Sequence, residues 1–306
     1  MLELENIEMQ YLTLKALKGI HLTIQEGEVV GYIGPNGAGK TTTLNIVSTL
    51  LKPTKGAVRL LGKNAFEDIR YSRSIIGYMP ELFGVYDDMK VSEYLQFFCK
   101  AYQINLSKAA HIMNDSLSEI GLSEIASNPI SSLSKGMKQK LFFMKTFIHS
   151  PKLVLLDEPF SGLDPIACKI VKEKVAREAR NGTGFLIASH NLAELQEIVS
   201  RVVGLKGGIL AADSPIADLG KEFWVYEIKV SGNADGAASL LSARFAGYKL
   251  NRRGPDGFLL EVPKGNDGKE ILAAIVDAGL PLTLFSRREI SLKEYFEKEL
   301  GDARTN

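Results

Sequence analysis

Cysteine is nearly absent from this 306-residue sequence, which holds only Cys99 and Cys168. They lie far apart and lack metal-type spacing, which speaks against a cysteine metal site and fits a reducing compartment in which free thiols pack as small apolar groups. Net charge is nearly absent too: 37 Lys and Arg stand against 36 Asp and Glu, leaving +1. No overall field draws the chain to nucleic acid or to an anionic membrane. Long apolar runs are missing as well, none approaching the ~18 residues that cross a bilayer. The opening MLELENIEMQ has no basic segment leading into an apolar one, so the chain is expected to be neither secreted nor membrane-spanning. What is present is an ordinary globular composition, 45% hydrophobic and 24% charged. The length leaves room for about two domains, and no repeat period is evident.

The first segment alternates as β-structure does and ends in a strand read at Glu28 to Ile33. A glycine-rich loop and a helix, Thr41 to Leu51, follow, with another strand near Ala57 to Leu61. From Val91 to about Gly121 the apolar spacing becomes helical, and a further helix begins near Ser134, so residues 82–150 read as a helical subdomain. Leu153 to Leu156 is wholly apolar, as a parallel strand covered on both faces requires. Helix Pro165 to Ala179, strand Gly184 to Ser189 and helix Leu192 to Val199 continue the βα alternation. After residue 220 the pattern becomes strand Trp224 to Val230, helix Ala234 to Phe245, hairpin Lys249 to Val262, helix Lys269 to Ala278, strand Leu282 to Phe285 and helix Leu292 to Leu300. That order predicts a small α+β domain of ferredoxin-like type over residues 221–306, set after an α/β domain over residues 1–220.

Gly34-Pro35-Asn36-Gly37-Ala38-Gly39-Lys40-Thr41 satisfies G-x-x-x-x-G-K-T between an apolar strand and a helix. Glycines let the backbone wrap a phosphate with successive N–H groups, and the helix N-terminus adds partial positive charge. Lys40 is the candidate bridge between β- and γ-phosphates, the Thr41 hydroxyl a candidate Mg2+ ligand, and Thr42 a further nucleotide contact. Asp157 and Glu158 close the apolar strand, at the end where parallel α/β sheets place ligands. Asp157 is the expected Mg2+ partner, and Glu158 is suited to act as general base on the attacking water.

Leu133-Ser134-Lys135-Gly136-Met137-Lys138-Gln139-Lys140, shortly before LVLLDEP, resembles the signature segment of ABC ATPases. The resemblance covers about residues 1 to 215 in the family's motif order, with Ser161-Gly162-Leu163-Asp164 in the place of the D-loop and Ser189-His190 in that of the switch histidine. It implies a P-loop NTPase core carrying an antiparallel β subdomain and the helical subdomain. It further implies Mg-dependent ATP hydrolysis at sites shared by two head-to-tail copies, in which Ser134 and Gly136 meet the partner's nucleotide. His190 would contact the γ-phosphate, and Tyr11 is placed to stack on adenine, or else packs as an ordinary strand residue. Glu81 occupies the position where most members carry a Gln that touches Mg2+ and signals to the membrane partner. LSKGMKQ and YMPE look like the branch of drug, antibiotic and lipid exporters whose permease is a separate chain. This branch implies a cytoplasmic subunit held at the inner membrane face by an integral permease, docking near Leu82, Phe83, Val85 and Tyr86, without nucleic acid or direct membrane insertion. The alternative within the family is a soluble, non-transport ATPase acting on DNA or ribosomes. The C-terminal part could regulate, strengthen dimerisation or contact another subunit.

Overall fold

The computed structural model describes residues 1–81, 84, 86, 88–190, 192–219, 223–265 and 268–288. The helix expected at Leu292 to Leu300 and the docking residues Leu82, Phe83 and Val85 lie outside the described residues. The chain divides into two compact units, the first Met1–Ile216 and the second beginning at Ala217.

The first unit opens with β1 (Leu2–Tyr11) and β2 (Leu14–Ile24), paired antiparallel. Leu2, Leu4, Ile7 and Met9 of β1 and Leu17, Ile20, Leu22 and Ile24 of β2 are buried together, the one-face pattern expected of a half-covered sheet. β3 (Val29–Ile33) differs, since all five of its residues are buried. It leads into α1 (Lys40–Val47), β4 (Lys55–Leu60), β5 (Lys63–Asn64), α2 (Ile69–Ile75) and β6 (Ile76–Met79). The first sheet has the order β2-β1-β4-β5.

Sequence pattern carries the helix after the phosphate loop to Leu51, but α1 stops at Val47. Thr49 turns left-handed at φ 61, the amides of Leu50 and Leu51 both return to the carbonyl of Asn45, and Arg73 closes the end by donating to the Thr49 carbonyl and hydroxyl, each at 3.1 Å. The orphan carbonyls of the last turn are thus satisfied from outside the helix.

The helical region holds α3 (Val91–Ala101), α4 (Leu106–Glu119) and α5 (Lys135–Lys145). Then come β7 (Leu153–Asp157), α6 (Pro165–Arg180), β8 (Gly184–Ala188), α7 (Leu192–Gln196), β9 (Arg201–Lys206) and β10 (Ile209–Pro215). The second sheet runs β10-β9-β3-β8-β7-β6, parallel except at β10. This arrangement sets the carboxyl ends of β3, β7 and β8 next to one another, so the phosphate loop, Asp157-Glu158 and Ser189-His190 leave the sheet at one edge.

The second unit contains β11 (Phe223–Val230), α8 (Ala234–Arg244), β12 (Lys249–Arg253), β13 (Gly257–Pro263), α9 (Lys269–Asp277) and β14 (Leu282–Arg288). Its sheet is antiparallel throughout in the order β12-β13-β11-β14, the ferredoxin-like βαββαβ arrangement. Tyr226, Ile228, Phe258 and Leu260 on one face of the sheet share a core with Leu241, Ile271 and Ile275 of the two helices.

Candidate active site

β3 runs straight into the phosphate loop, and the fold admits no side chain at its first position. A Cβ on Gly34 would lie 2.3 Å from the Leu205 carbonyl oxygen of β9. Gly39 caps α1 in a left-handed conformation, φ 109, which glycine reaches without a Cβ penalty. The first turn of α1 therefore presents its free N–H groups and partial positive charge to the cleft. Lys40 folds back over the loop, its ammonium donating to the carbonyls of Gly34 at 2.7 Å and Pro35 at 3.2 Å. Burial holds that ammonium below the usual lysine range, against the pull of Glu158, Asp157 and Glu81.

Asp157 ends β7 and is 1% exposed. The Thr41 hydroxyl donates to its Oδ2 at 2.7 Å, joining the loop helix to the strand. Burial pushes the Asp157 carboxyl above the usual range; the Thr41 bond and Lys40 oppose this, while Glu81 and Glu158 add to it. Glu158 follows at φ 50, a left-handed conformation that is strained for a glutamate. Its carboxylate accepts from the Ser189 hydroxyl at 3.0 Å and from the His190 N–H at 2.9 Å, with His190 Nδ1 2.8 Å from the same Oε1.

Tyr11, Asn36, Gly37, Gly39, Lys40, Thr41, Thr42, Glu81, Asp157, Glu158 and His190 line one cleft of about 590 Å³. Gly34, Pro35 and Ala38 support that cleft without lining it; the Ala38 N–H bonds the Pro35 carbonyl at 3.1 Å. Ser134 and Gly136 do not line it either. Ser134 is exposed and caps α5, its hydroxyl accepting from the Met137 N–H at 3.2 Å, so α5 has an open, polar N-terminus. Leu14 and Ala16, which sequence reasoning did not single out, form an apolar wall of the cleft with Tyr11. No local motif marks them, because the β1–β2 turn alone brings them there.

Among the described residues no group of three or more His, Cys, Asp and Glu could hold a metal on its own. The cleft does offer a hydroxyl and two carboxylates, Thr41, Asp157 and Glu81, an oxygen set that suits Mg2+ when phosphate oxygens and water complete the shell.

The sequence model described as ABC transporter matches residues 17–161. The ABC transporter ATP-binding protein YxlF of Bacillus subtilis (strain 168) is 30% identical over 300 residues, spanning 97% of this chain and 99% of the relative. The bacitracin transport ATP-binding protein BcrA of Enterococcus faecalis is 32% identical over 304 residues, spanning 98% and 96%. A solved structure of an ATP-binding subunit of an ABC transporter superposes with a TM-score of 0.68 at 30% identity, covering 71% of this chain and 90% of the other. With a phosphate loop, a buried Asp and a positioned Glu gathered at one sheet edge, the chain belongs to the ATP-binding proteins of ABC transporters and is an ATPase.

Proposed function

We propose that this chain powers export through a separate membrane permease, and that two copies pair head to tail, each holding ATP between its own cleft and Ser134 and Gly136 of the other. One observation carries the pairing: the cleft holds the loop, both acids and His190, whereas Ser134 and Gly136 stand outside it on an exposed helix N-terminus suited to an anion. Within a protomer Tyr11 stacks on adenine, and Asn36 to Thr42 wrap the phosphates with Lys40 neutralising them. Glu158 takes the proton of the attacking water as its oxygen bonds the γ-phosphorus and the bond to the β-phosphate oxygen breaks. His190 steadies the γ-phosphate. Thr41, Asp157 and Glu81 would hold Mg2+, which supplies charge neutralisation at the phosphate oxygens.

The likeness to a bacitracin transport ATP-binding protein supports export as the direction of transport. No helix among the described residues is long and apolar enough to cross a membrane. In this reading the membrane path belongs to the permease, which holds the chain at the inner face of the cell membrane. Tyr86 and Phe97, exposed with ring centroids 6.0 Å apart, support a docking patch at the start of the helical region.

Complementation tests the pairing. Lys40→Ala and Ser134→Arg variants should each be inactive as pure samples, because each damages both sites of its own dimer. Mixed together they should regain ATPase activity, since one site of the mixed dimer then combines an intact loop with an intact Ser134. A mixture as inactive as its components refutes the head-to-tail arrangement.

A further inference from the structure

The strained conformation of Glu158 persists only where surrounding structure holds it. Its N–H donates to the Ala188 carbonyl of β8 at 2.8 Å, and its own carbonyl accepts from the Ser161 N–H at 3.1 Å. A third hold comes from a different element. Gln139, 4% exposed on α5, directs its amide nitrogen at the carbonyls of Glu158, 3.3 Å, and Pro159, 3.4 Å. Two donor hydrogens on one nitrogen match two acceptors on adjacent residues. Gln139 lies five residues beyond Ser134, roughly 7.5 Å along the helix axis at 1.5 Å per residue.

We propose that Gln139 is a positioning residue for hydrolysis. It fixes the backbone from which Glu158 reaches into the cleft, and it ties that backbone to the helix whose N-terminus meets the second copy's nucleotide. The inference rests on Glu158 as general base and on the head-to-tail pairing. Its consequence is directional: a nucleotide seated at Ser134 acts through α5 on the Glu158 of the neighbouring site. Without the amide, α5 keeps its packing, because Leu141, Phe142, Phe143 and Met144 are all buried. The carboxylate alone loses its aim.

Gln139→Met, which preserves length and volume but carries no donor, should lower kcat about tenfold while leaving KM for ATP within about twofold. Its melting temperature should fall by only several degrees, the cost of leaving the buried Pro159 carbonyl without its donor, with the fold retained. Gln139→Glu, which sets an acceptor against two carbonyls, should lower kcat further, and it serves as the second variant if the methionine protein is unstable. In a Glu158→Gln background Gln139→Met should cause no further loss of the residual turnover, because both act through one group. Wild-type kcat in Gln139→Met beside an inactive Glu158→Gln overturns the inference. So does a multiplied loss in the double variant, or a KM that rises as kcat falls. Brisk turnover by Glu158→Gln alone instead removes Glu158 as the base, and this inference with it.

Discussion

Asp157→Asn should make the nucleotide-free protein more stable and the enzyme inactive. The carboxylate is 1% exposed, and taking a carboxylate out of water costs several kcal/mol. The Thr41 hydroxyl at 2.7 Å returns about 1.5–3 kcal/mol as a bond to a charged acceptor. Lys40 helps less than its sign suggests, because its ammonium is committed to the Gly34 and Pro35 carbonyls. The raised pKa of Asp157 says that burial wins this balance. Asparagine keeps an acceptor for Thr41 and sheds the charge, so a gain on the order of 1 kcal/mol is expected at neutral pH. For a unit of this size that is roughly 2–4 °C in melting temperature. The sign with pH is fixed: a carboxyl whose folded pKa lies above 3.8 favours the fold when protonated, and that favour is lost as pH rises through the folded value. The gap between variant and parent should therefore be smallest near the ordinary value of 3.8, widen as pH rises through the folded value at no more than about 1.4 kcal/mol per pH unit, and then level off. Thermal melts from pH 4 to 8 measure it, and Mg-ATP should stabilise the parent but not the variant. A variant less stable than the parent at pH 7.5 without nucleotide would refute the reasoning, since the bonds from Thr41 and the field of Lys40 would then outweigh burial.

Gly34→Ala should cost roughly 1–3 kcal/mol through overpacking, because its Cβ meets the Leu205 carbonyl at 2.3 Å, and it should weaken ATP binding as the loop shifts. Melts and nucleotide titrations check this; a variant unchanged in both rules out the close approach. His149 stacks on Tyr102 with centroids 3.8 Å apart and keeps Nε2 2.9 Å from the Ile76 carbonyl, while its buried Nδ1 has no hydrogen-bond partner among the described residues. Burial pushes its pKa down to about 4, so the stability contributed by the neutral ring is present above pH 6.5 and is lost as pH falls from 6.5 toward 4. His149→Phe should flatten that loss in urea titrations at pH 7 and pH 4.5, and an equal drop in both proteins counts against it.

Most of the second sheet was legible because its strands are covered on both faces and read as unbroken apolar runs: Leu153 to Leu156 could be little else. β6 and the β9–β10 pair were not read. Ile76–Met79 is four residues long and contains a glycine, and Arg201–Pro215 is broken by Gly207 and Gly208, so neither shows a period long enough to recognise. The end of α1 was misjudged for a related reason. Leu50 and Leu51 continue the apolar pattern, but their amides return to the Asn45 carbonyl past a left-handed Thr49, which Arg73, more than twenty positions away, holds through its carbonyl and hydroxyl.

The sequence by itself laid out the candidate chemistry: a glycine loop of phosphate-binding pattern, a Lys and a Thr at its exit, and two acids at the end of a buried strand, each recognisable from local spacing. Tertiary structure decided which of these groups touch and at what cost. The bond from Thr41 to Asp157 spans 116 positions, Glu158 is gripped by residues about thirty positions further on, and Gln139 reaches it from another helix. Hydrogen bonds depend on distances of a few ångströms, and only the packing of β3, β7, β8 and α5 sets those distances for groups so far apart along the chain.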